Sequence, residues 1–208
     1  MNRDNLQNKL DKKQLRRYLL KKRQQMTMVE WREKSDRIVT NLQTSKLFQE
    51  AETILAFFSF RQEPDLSPLF NSSQKRWGFP RCVGNFLMWH FWQPEDSSNN
   101  SSYNSLNVGN YGIHEPHPHA EVVDITEVDL ILIPCVGCDL KGYRLGYGGG
   151  YYDRLLSSPI MREKITMGIV FELGYLPQLP RDHWDQPLDG VVWENGVHIC
   201  RGKPPVVA

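Results

Sequence analysis

Hydrophobic side chains follow two different spacings along this chain, and each spacing predicts its own kind of element. Between residues 6 and 25, leucines recur on one side of a Lys-, Arg- and Gln-rich stretch without Gly or Pro, which predicts an amphipathic helix. Thr27 and Glu30 have the spacing of a capping box, so a second helix should run from there to about Leu42. Continuous apolar runs predict strands buried on both faces of a sheet, at residues 54–60, 128–134 and 165–171.

Weaker patterns complete the outline. They predict a helix at 65–74, strands at 77–80 and 86–92, a helix that begins at Tyr151, and a hairpin at 191–199 that turns at Asn195-Gly196. The Ser- and Asn-rich stretch 94–110 is expected to be a mobile inserted loop. Buried strands that alternate with helices indicate an α/β fold, expected as one domain over residues 1–208. We predict a layered sheet with helices on both faces and a basic N-terminal helical arm.

Charge is distributed unevenly along the chain. The formal total of +1 argues against a general polyanion-binding surface, but residues 1–40 carry an excess of basic side chains and the remainder carries an excess of acidic ones. The basic helix could bind nucleic acid, bind a short and highly charged ligand, or be a solvated face. Because the acidic remainder would repel a long polyanion, a nucleoside triphosphate fits better.

A glycine-rich loop is the most unusual feature. Five of the nine residues from 142 to 150 are glycine, which costs backbone entropy on folding. Such a loop lets phosphates approach the backbone, and Arg144 adds a positive charge, although a merely flexible turn is the alternative. A strand, this loop and a helix would together suit an anion. A Walker loop does not fit, because Gly-Lys followed by Ser or Thr is absent, and the dinucleotide fingerprint does not fit, because Tyr151 stands where its third glycine would be.

Carboxylates lie next to this loop and downstream of it. Asp153 follows the loop directly, and further aspartates stand at 182, 185 and 189. A carboxylate beside bound phosphates is a natural Mg²⁺ ligand, whereas Asp153 could equally cap the next helix or complement its dipole.

Two other groups suggest metal or redox chemistry less strongly. The histidines His114, His117 and His119 could bind zinc, but the intervening prolines favour an ordinary extended loop. Cys135 and Cys138 lack the thioredoxin-like context of a redox pair, so we interpret them as small buried residues.

Several stretches together resemble the 5-formyltetrahydrofolate cyclo-ligase family, also called 5,10-methenyltetrahydrofolate synthetase. They are Lys12-Lys13-Gln14-Leu15-Arg16, the segment 111–116, the region 185–189 and, most specifically, Arg144-Leu145-Gly146-Tyr147-Gly148-Gly149-Gly150-Tyr151-Tyr152-Asp153. The resemblance implies an α/β ligase of one-carbon metabolism. It would use ATP as co-substrate and Mg²⁺ as cofactor to convert 5-formyltetrahydrofolate into 5,10-methenyltetrahydrofolate, ADP and phosphate.

The resemblance also implies residue roles. ATP would be bound by Lys12, Lys13, Gln14, Leu15, Arg16, Arg144, Leu145, Gly146, Tyr147, Gly148, Gly149, Gly150, Tyr151 and Tyr152. The folate would be bound by Phe58, Glu63, Tyr147, Gly148, Gly149, Gly150 and Tyr151, and Mg²⁺ by Asp153 and Asp185. No protein nucleophile is implied, and Arg144 is the expected electrostatic contributor. Departures from the family pattern lie at Cys135, at Cys138 and in the 94–110 stretch.

Three functions remain open at this point. They are the ATP-dependent enzyme, a non-catalytic folate- or nucleotide-binding protein, and a nucleic-acid-binding module. The joint presence of Lys12, Arg144, Asp153 and Asp185 favours the enzyme. We expect a cytoplasmic monomer that binds ATP and reduced folate, and neither nucleic acid nor membrane.

Overall fold

The computed structural model describes residues 10–94 and 103–200 of the 208-residue chain. The helices are α1 (Lys12–Arg23), α2 (Met28–Thr44), α3 (Lys46–Glu50), α4 (Tyr151–Ser157) and α5 (Pro159–Arg162). The strands are β1 (Thr53–Leu55), β2 (Arg76–Val83), β3 (Phe86–Phe91), β4 (Leu106–Val108), β5 (His114–Pro116), β6 (Leu130–Pro134), β7 (Gly137–Asp139), β8 (Arg144–Leu145), β9 (Ile165–Ile169), β10 (Tyr175–Leu176), β11 (Gly190–Trp193) and β12 (Gly196–Ile199). The predicted class of fold, α/β, is confirmed.

A seven-stranded sheet with the order β12-β11-β9-β6-β1-β2-β3 forms the centre of the molecule. Its five inner strands run parallel, and each edge is closed by an antiparallel hairpin partner, β3 or β12. Strands of a parallel sheet are covered on both faces, which explains why the sequence of β6 is continuously apolar rather than alternating.

Successive side chains of β6 enter two separate cores. Leu130 and Leu132 pack in the cluster that contains the apolar faces of α2 and α3. Ile131 and Ile133 point the other way, into the cluster that contains Leu156 of α4 and a methionine of α5. Helices therefore cover both faces of the sheet, as predicted.

Helix α1 packs against a second, smaller sheet with the order β10-β7-β8. Asp11 caps the helix in a reciprocal capping box with Gln14. Leu15 and Leu19 are buried against this sheet, and the missing side chain of Gly137 lets Leu19 approach closely. Helix α1 is thereby fixed beside the hairpin that leads into the glycine-rich loop. The predicted helical residues 6–9 lie outside the described residues.

Two predicted elements are wrong in extent. The strand expected at 54–60 ends at Leu55: the Ala56 N–H still bonds to the Gly78 carbonyl at 2.8 Å, but Pro80 has no N–H with which β2 could continue the ladder. The helix expected at 65–74 is a single 3₁₀ turn, Ser67–Leu69. Pro68 supplies no N–H, and the Ser72 N–H bonds back to Leu69, which closes the turn.

Other boundaries differ because pairing partners extend or replace the expected element. Strand β2 continues past Pro80, since β3 pairs with it as far as Val83. The hairpin β7–β8 precedes the glycine loop where a turn-rich segment directly after β6 was expected. In the stretch 94–110, residues 95–102 lie outside the described part, but 106–108 form β4 against β5, so the loop prediction is wrong there.

The remaining helix and hairpin predictions hold with small corrections. Thr27 caps α2 by accepting the Glu30 N–H at 3.1 Å, but the Glu30 carboxylate pairs with Lys34 and does not complete a box. The β11–β12 turn is centred on Glu194 and Asn195, one position earlier than expected. Within the ranges 10–94 and 103–200, no helix is both long and apolar enough to span a bilayer.

Truncation of Leu19 tests whether α1 is anchored by its buried leucines. Leu19→Ala should reduce the free energy of unfolding by about 2–5 kcal/mol, because it removes buried methyl groups and leaves a cavity. Urea titration measures this change. Arg17→Ala, at an exposed position of the same helix, is the control and should change stability by less than about 0.5 kcal/mol. Equal effects of both variants would show that α1 is not anchored there.

Candidate active site

A cavity of about 440 Å³ opens between α1, the segment 57–63, the segment 111–115 and the glycine-rich loop. Of the residues that the sequence pattern singled out, the following line it: Lys12, Arg16, Phe58, Glu63, Arg144, Leu145, Gly146, Tyr147, Gly148, Gly149, Gly150, Tyr151, Tyr152, Asp153 and Asp185. Positions far apart in sequence, from 12 to 185, thus meet in one place. Lys13, Gln14 and Leu15 do not line it, since Lys13 and Gln14 are exposed and Leu15 is buried in the core.

The glycine-rich loop presents unused backbone donors. In the described part of the chain, the N–H groups of residues 147 to 149 make no hydrogen bond to a protein acceptor. Gly148 and Gly150 have φ values of +101° and +70°, which side chains with a Cβ rarely adopt. The loop is held to α1 because Arg16 Nε donates to the Gly146 carbonyl at 2.6 Å. The backbone at Gly148 and Gly150 therefore requires glycine, and the bond from Arg16 fixes the loop at Gly146, so the loop is more than a flexible turn.

Basic and acidic side chains of the cavity are paired across distant parts of the chain. Lys12 Nζ lies 2.6 Å from Asp182 Oδ2 and 2.5 Å from Asp185 Oδ2. Partial burial lowers the pKa of Lys12, but its hydrogen bonds to both aspartates outweigh burial and raise the pKa above its ordinary value. Arg144 Nη2 lies 2.6 Å from Asp153 Oδ1. Gly150 is the N-cap of α4, so Asp153 does not cap that helix.

An aromatic wall forms another side of the cavity. Phe58 stacks on Phe79 with a centroid distance of 4.2 Å and meets Trp92 edge-on at 5.2 Å. His114 lies at its outer edge, 6.3 Å from the Phe58 ring. Such a wall fixes the face of Phe58 that remains open for a planar ligand.

A buried polar group also lines the cavity. Glu63 is 3% exposed, and one of its carboxylate oxygens, Oε1, has no protein partner among the described residues. Burial raises the pKa of Glu63 to about 7, although the charge of Arg23 and the N–H of Phe60 oppose that rise. Arg23 is itself buried and donates through Nη2 to the Tyr147 hydroxyl.

The sequence patterns missed three residues that shape the site. Arg23 stands at the spacing of the buried Leu15 and Leu19, and a charged residue on an apolar stripe is a signal that could have found it. Glu115 is buried and accepts the Cys82 N–H; it stands in the segment 111–116, but the resemblance carried there implies no role for it. Asp139 is fully buried, accepts the N–H groups of Lys141 and Tyr143 in the β7–β8 turn, and ties that turn to the N–H of Leu179.

The other sequence candidates lie outside this chemistry. His117 and His119 flank Tyr103, away from the cavity. Cys135 and Cys138 are buried free thiols beside Gly168, which confirms their interpretation as small buried residues.

Comparison with known proteins agrees with this arrangement. The model of the 5-formyltetrahydrofolate cyclo-ligase family matches residues 8–194. The chain belongs to the 5-formyltetrahydrofolate cyclo-ligase family. It is accordingly an enzyme of that family, and the predicted resemblance is confirmed.

Individual relatives of this cyclo-ligase family member support the assignment. The 5-formyltetrahydrofolate cyclo-ligase of Escherichia coli K12 is 28% identical over 184 residues, which cover 85% of this chain and 96% of that protein. The Haemophilus influenzae cyclo-ligase is 39% identical over 79 residues, 38% of this chain and 42% of the relative. The structure of Aquifex aeolicus 5,10-methenyltetrahydrofolate synthetase matches with a TM-score of 0.78 and 33% identity, covering 95% of this chain and 96% of that one.

Glu63 should make the stability of this cyclo-ligase family member depend on pH. Because its pKa is raised from 4.5 to about 7, the folded state holds a proton that the unfolded state has lost between these values. Stability contributed by Glu63 is therefore fully present below about pH 4.5 and is lost as pH rises toward 7, by about 3 kcal/mol at most. Urea midpoints measured from pH 5 to 8 for the unmodified protein and for Glu63→Gln check this. The difference between the two curves should change across this range, and parallel curves would contradict the prediction.

Proposed function

We propose that this protein converts 5-formyltetrahydrofolate into 5,10-methenyltetrahydrofolate at the expense of ATP, in the presence of Mg²⁺, and that both substrates bind in the cavity described above. One observation supports the proposal: a single cavity is lined by all of the groups that the two substrates need. These are the loop amides without a protein partner, basic side chains of α1, two aspartates, and an aromatic wall with a buried carboxylate. These groups match the needs of a triphosphate at one end and of a reduced pterin at the other.

ATP phosphates would lie between α1 and the glycine-rich loop. The free N–H groups of residues 147 to 149 can donate to phosphate oxygens, as can the guanidinium of Arg16. Arg16 already bonds to the loop and makes no ion pair with a carboxylate among the described residues. Its charge is therefore available to a phosphate. Lys12 lies one helical turn earlier and reaches the same cavity.

The reduced folate would lie against the aromatic wall. The open side of Phe58 suits the pterin ring, and Glu63 Oε1 lies buried without a partner where donors of the pterin edge could reach it. A buried acceptor that lacks a partner costs stability, so binding a ligand with matching N–H groups recovers that cost. This gives Glu63 a role in recognition and no role as a nucleophile.

Asp153 and Asp185 fit a site for Mg²⁺. In each carboxylate one oxygen accepts from a basic side chain, while the other, Asp153 Oδ2 or Asp185 Oδ1, makes no hydrogen bond within the described residues. One or two carboxylates together with phosphate oxygens and water are the usual Mg²⁺ ligands. When bound, the ion would neutralise phosphate charge.

The chemistry requires positioning more than protein nucleophiles. The formyl oxygen is a poor leaving group, so its attack on the γ-phosphoryl group, with ADP leaving, activates it. N10 then attacks the formyl carbon, the carbon–oxygen bond breaks to release phosphate, and N10 loses its proton as the ring closes. Arg144 and the loop amides stabilise the developing charge on the phosphoryl oxygens, and the walls hold the two substrates in line.

Turnover of 5-formyltetrahydrofolate tests the proposal directly. Purified protein with ATP and Mg²⁺ should form the conjugated methenyl product, followed by its absorbance. Asp153→Asn should lower kcat by about 100-fold or more, because a neutral amide is a weaker Mg²⁺ ligand than a carboxylate and the ion would neutralise the phosphate charge. Asp36→Asn, an exposed position on α2, is the control and should keep full activity. If the folded, unmodified protein forms no product, the enzyme proposal fails.

Removal of the Arg16 guanidinium tests the nucleotide end. Arg16→Ala should raise the KM for ATP about 10- to 150-fold, the equivalent of losing a charge-assisted hydrogen bond of roughly 1.5–3 kcal/mol. The KM for the folate should change much less. Arg17→Ala removes the same charge from the exposed side of the same helix, and its KM for ATP should stay within about twofold. An unchanged ATP dependence in Arg16→Ala would exclude α1 from the ATP site.

A further inference from the structure

Arg23 is a buried cation that does not line the cavity but contacts residues that do. It is 3% exposed and lies at the C-terminal end of α1. Within residues 10–94 and 103–200 it makes no salt bridge shorter than 4 Å, and one of its nitrogens, Nη1, makes no hydrogen bond. A buried charge without a close counter-ion is costly and needs a reason. The following argument rests on the proposed function.

The first contact of Arg23 is to a strained turn. Arg61 and Gln62 have φ values of +49° and +55°, in the left-handed region that non-glycine residues rarely occupy. Arg23 Nε donates to the Arg61 carbonyl at 3.1 Å, and the Gln62 side chain donates to the Met26 carbonyl at 3.3 Å. This turn directly precedes Glu63 and sets where its carboxylate lies.

The second contact of Arg23 is to the glycine-rich loop. Arg23 Nη2 donates to the hydroxyl of Tyr147, and its guanidinium carbon lies 5.5 Å from the centre of that ring. The Tyr147 ring also lies 6.2 Å from the ring of Phe60, in the same turn. One guanidinium therefore connects the loop to the turn that carries Glu63.

The third interaction is electrostatic. The titratable groups that act on Glu63 come from three elements: Arg23 from α1, Tyr147 from the loop and Tyr152 from α4. Both tyrosines are neutral, since burial raises the pKa of each above its ordinary value. Of these three groups only Arg23 carries a charge, and that charge favours the ionised form of Glu63.

We propose that Arg23 is a positioning residue for folate binding, which orients Glu63 through the strained turn, holds Tyr147 in the cavity wall, and supplies the counter-charge of the Glu63 carboxylate. The pterin edge of 5-formyltetrahydrofolate presents N–H donors, so an ionised carboxylate binds it and a protonated one loses an acceptor. Affinity for the folate therefore falls as pH falls through the pKa of Glu63. Without Arg23 that loss begins at a higher pH, because the largest influence that opposes burial, the charge of Arg23, is then gone.

Calorimetric titration with 5-formyltetrahydrofolate in the absence of ATP, repeated between pH 6 and 8.5, tests this role. Arg23→Gln should weaken folate binding at pH 7 by about 10-fold or more. It should also raise, by about one pH unit or more, the midpoint of the pH range over which folate affinity is lost on acidification. Arg23→Lys keeps the charge without the planar fork, so it should keep the midpoint but bind the folate more weakly. In turnover assays, the KM for ATP should stay within about threefold for both variants.

Matched variants separate this role from a merely structural one. Arg17→Gln removes a positive charge from an exposed position of the same helix and should leave folate affinity, its midpoint and the KM for ATP unchanged. Tyr147→Phe removes the hydroxyl that Arg23 contacts and that also lowers the pKa of Glu63, so it should weaken folate binding and move the midpoint upward by less than Arg23→Gln does. If Arg23→Gln does not fold, the folate affinities of Arg23→Lys and Tyr147→Phe still test the positioning role.

Three outcomes overturn the inference. The first is that Arg23→Gln or Arg23→Lys binds the folate as tightly as the unmodified protein does. The second is that folded Arg23→Gln keeps the midpoint of the unmodified protein. The third is that the variants weaken the binding of ATP and of folate equally. The last would mean that Arg23 only supports the fold of α1. Absence of folate binding by the unmodified protein would instead contradict the proposed function, so the two failures are distinguishable.

Discussion

The packing of α1 against the small β10-β7-β8 sheet is the interaction on which the cavity depends. Leu15 and Leu19 bury one stripe of the helix, and Gly137 allows the close approach that this burial needs. With that stripe fixed, the basic side chains on the neighbouring surface of the helix can only lie along the glycine-rich loop. Apolar packing thus decides where the charged groups meet, and the hydrogen bond from Arg16 to Gly146 then holds the two together.

Two basic side chains of the cavity are already paired with aspartates before any ligand binds, whereas Arg16 makes no ion pair within the described residues. Lys12 is shared by two aspartates, and Arg144 holds Asp153. Phosphate groups would compete for the basic side chains, and Mg²⁺ would compete for the aspartates. Under the proposed function, each side chain that loses its protein partner therefore gains a phosphate or the metal ion in its place. Such an exchange avoids leaving a partly buried charge unpaired at any stage. Glu63 differs, because the charge that acts on it belongs to Arg23, which makes no ion pair within the described residues and does not line the cavity.

The sequence patterns of the site reflect what a position itself requires and do not show what the fold brings to it. Gly148 and Gly150 stand out in the sequence because positive φ favours glycine at these positions themselves. Glu115 and Asp139 could not be found, because their importance lies in burial and in backbone N–H groups brought to them by the fold. Arg23 lies between these cases, since its place on the leucine stripe was visible but its partners at positions 61 and 147 were not.

The sequence by itself determined the class of fold and the division of charge along the chain. Continuous apolar runs mark strands covered on both faces, and the excess of basic residues among the first forty predicts an anionic partner for that end. Only the tertiary structure decided where each element ends and which side chains share the cavity. The run 54–60 leaves the sheet after Leu55 because its partner strand has Pro80, which lacks an N–H, at the next pairing position. The tertiary fold alone brings that proline beside the run, so the sequence of the run does not show where the strand ends.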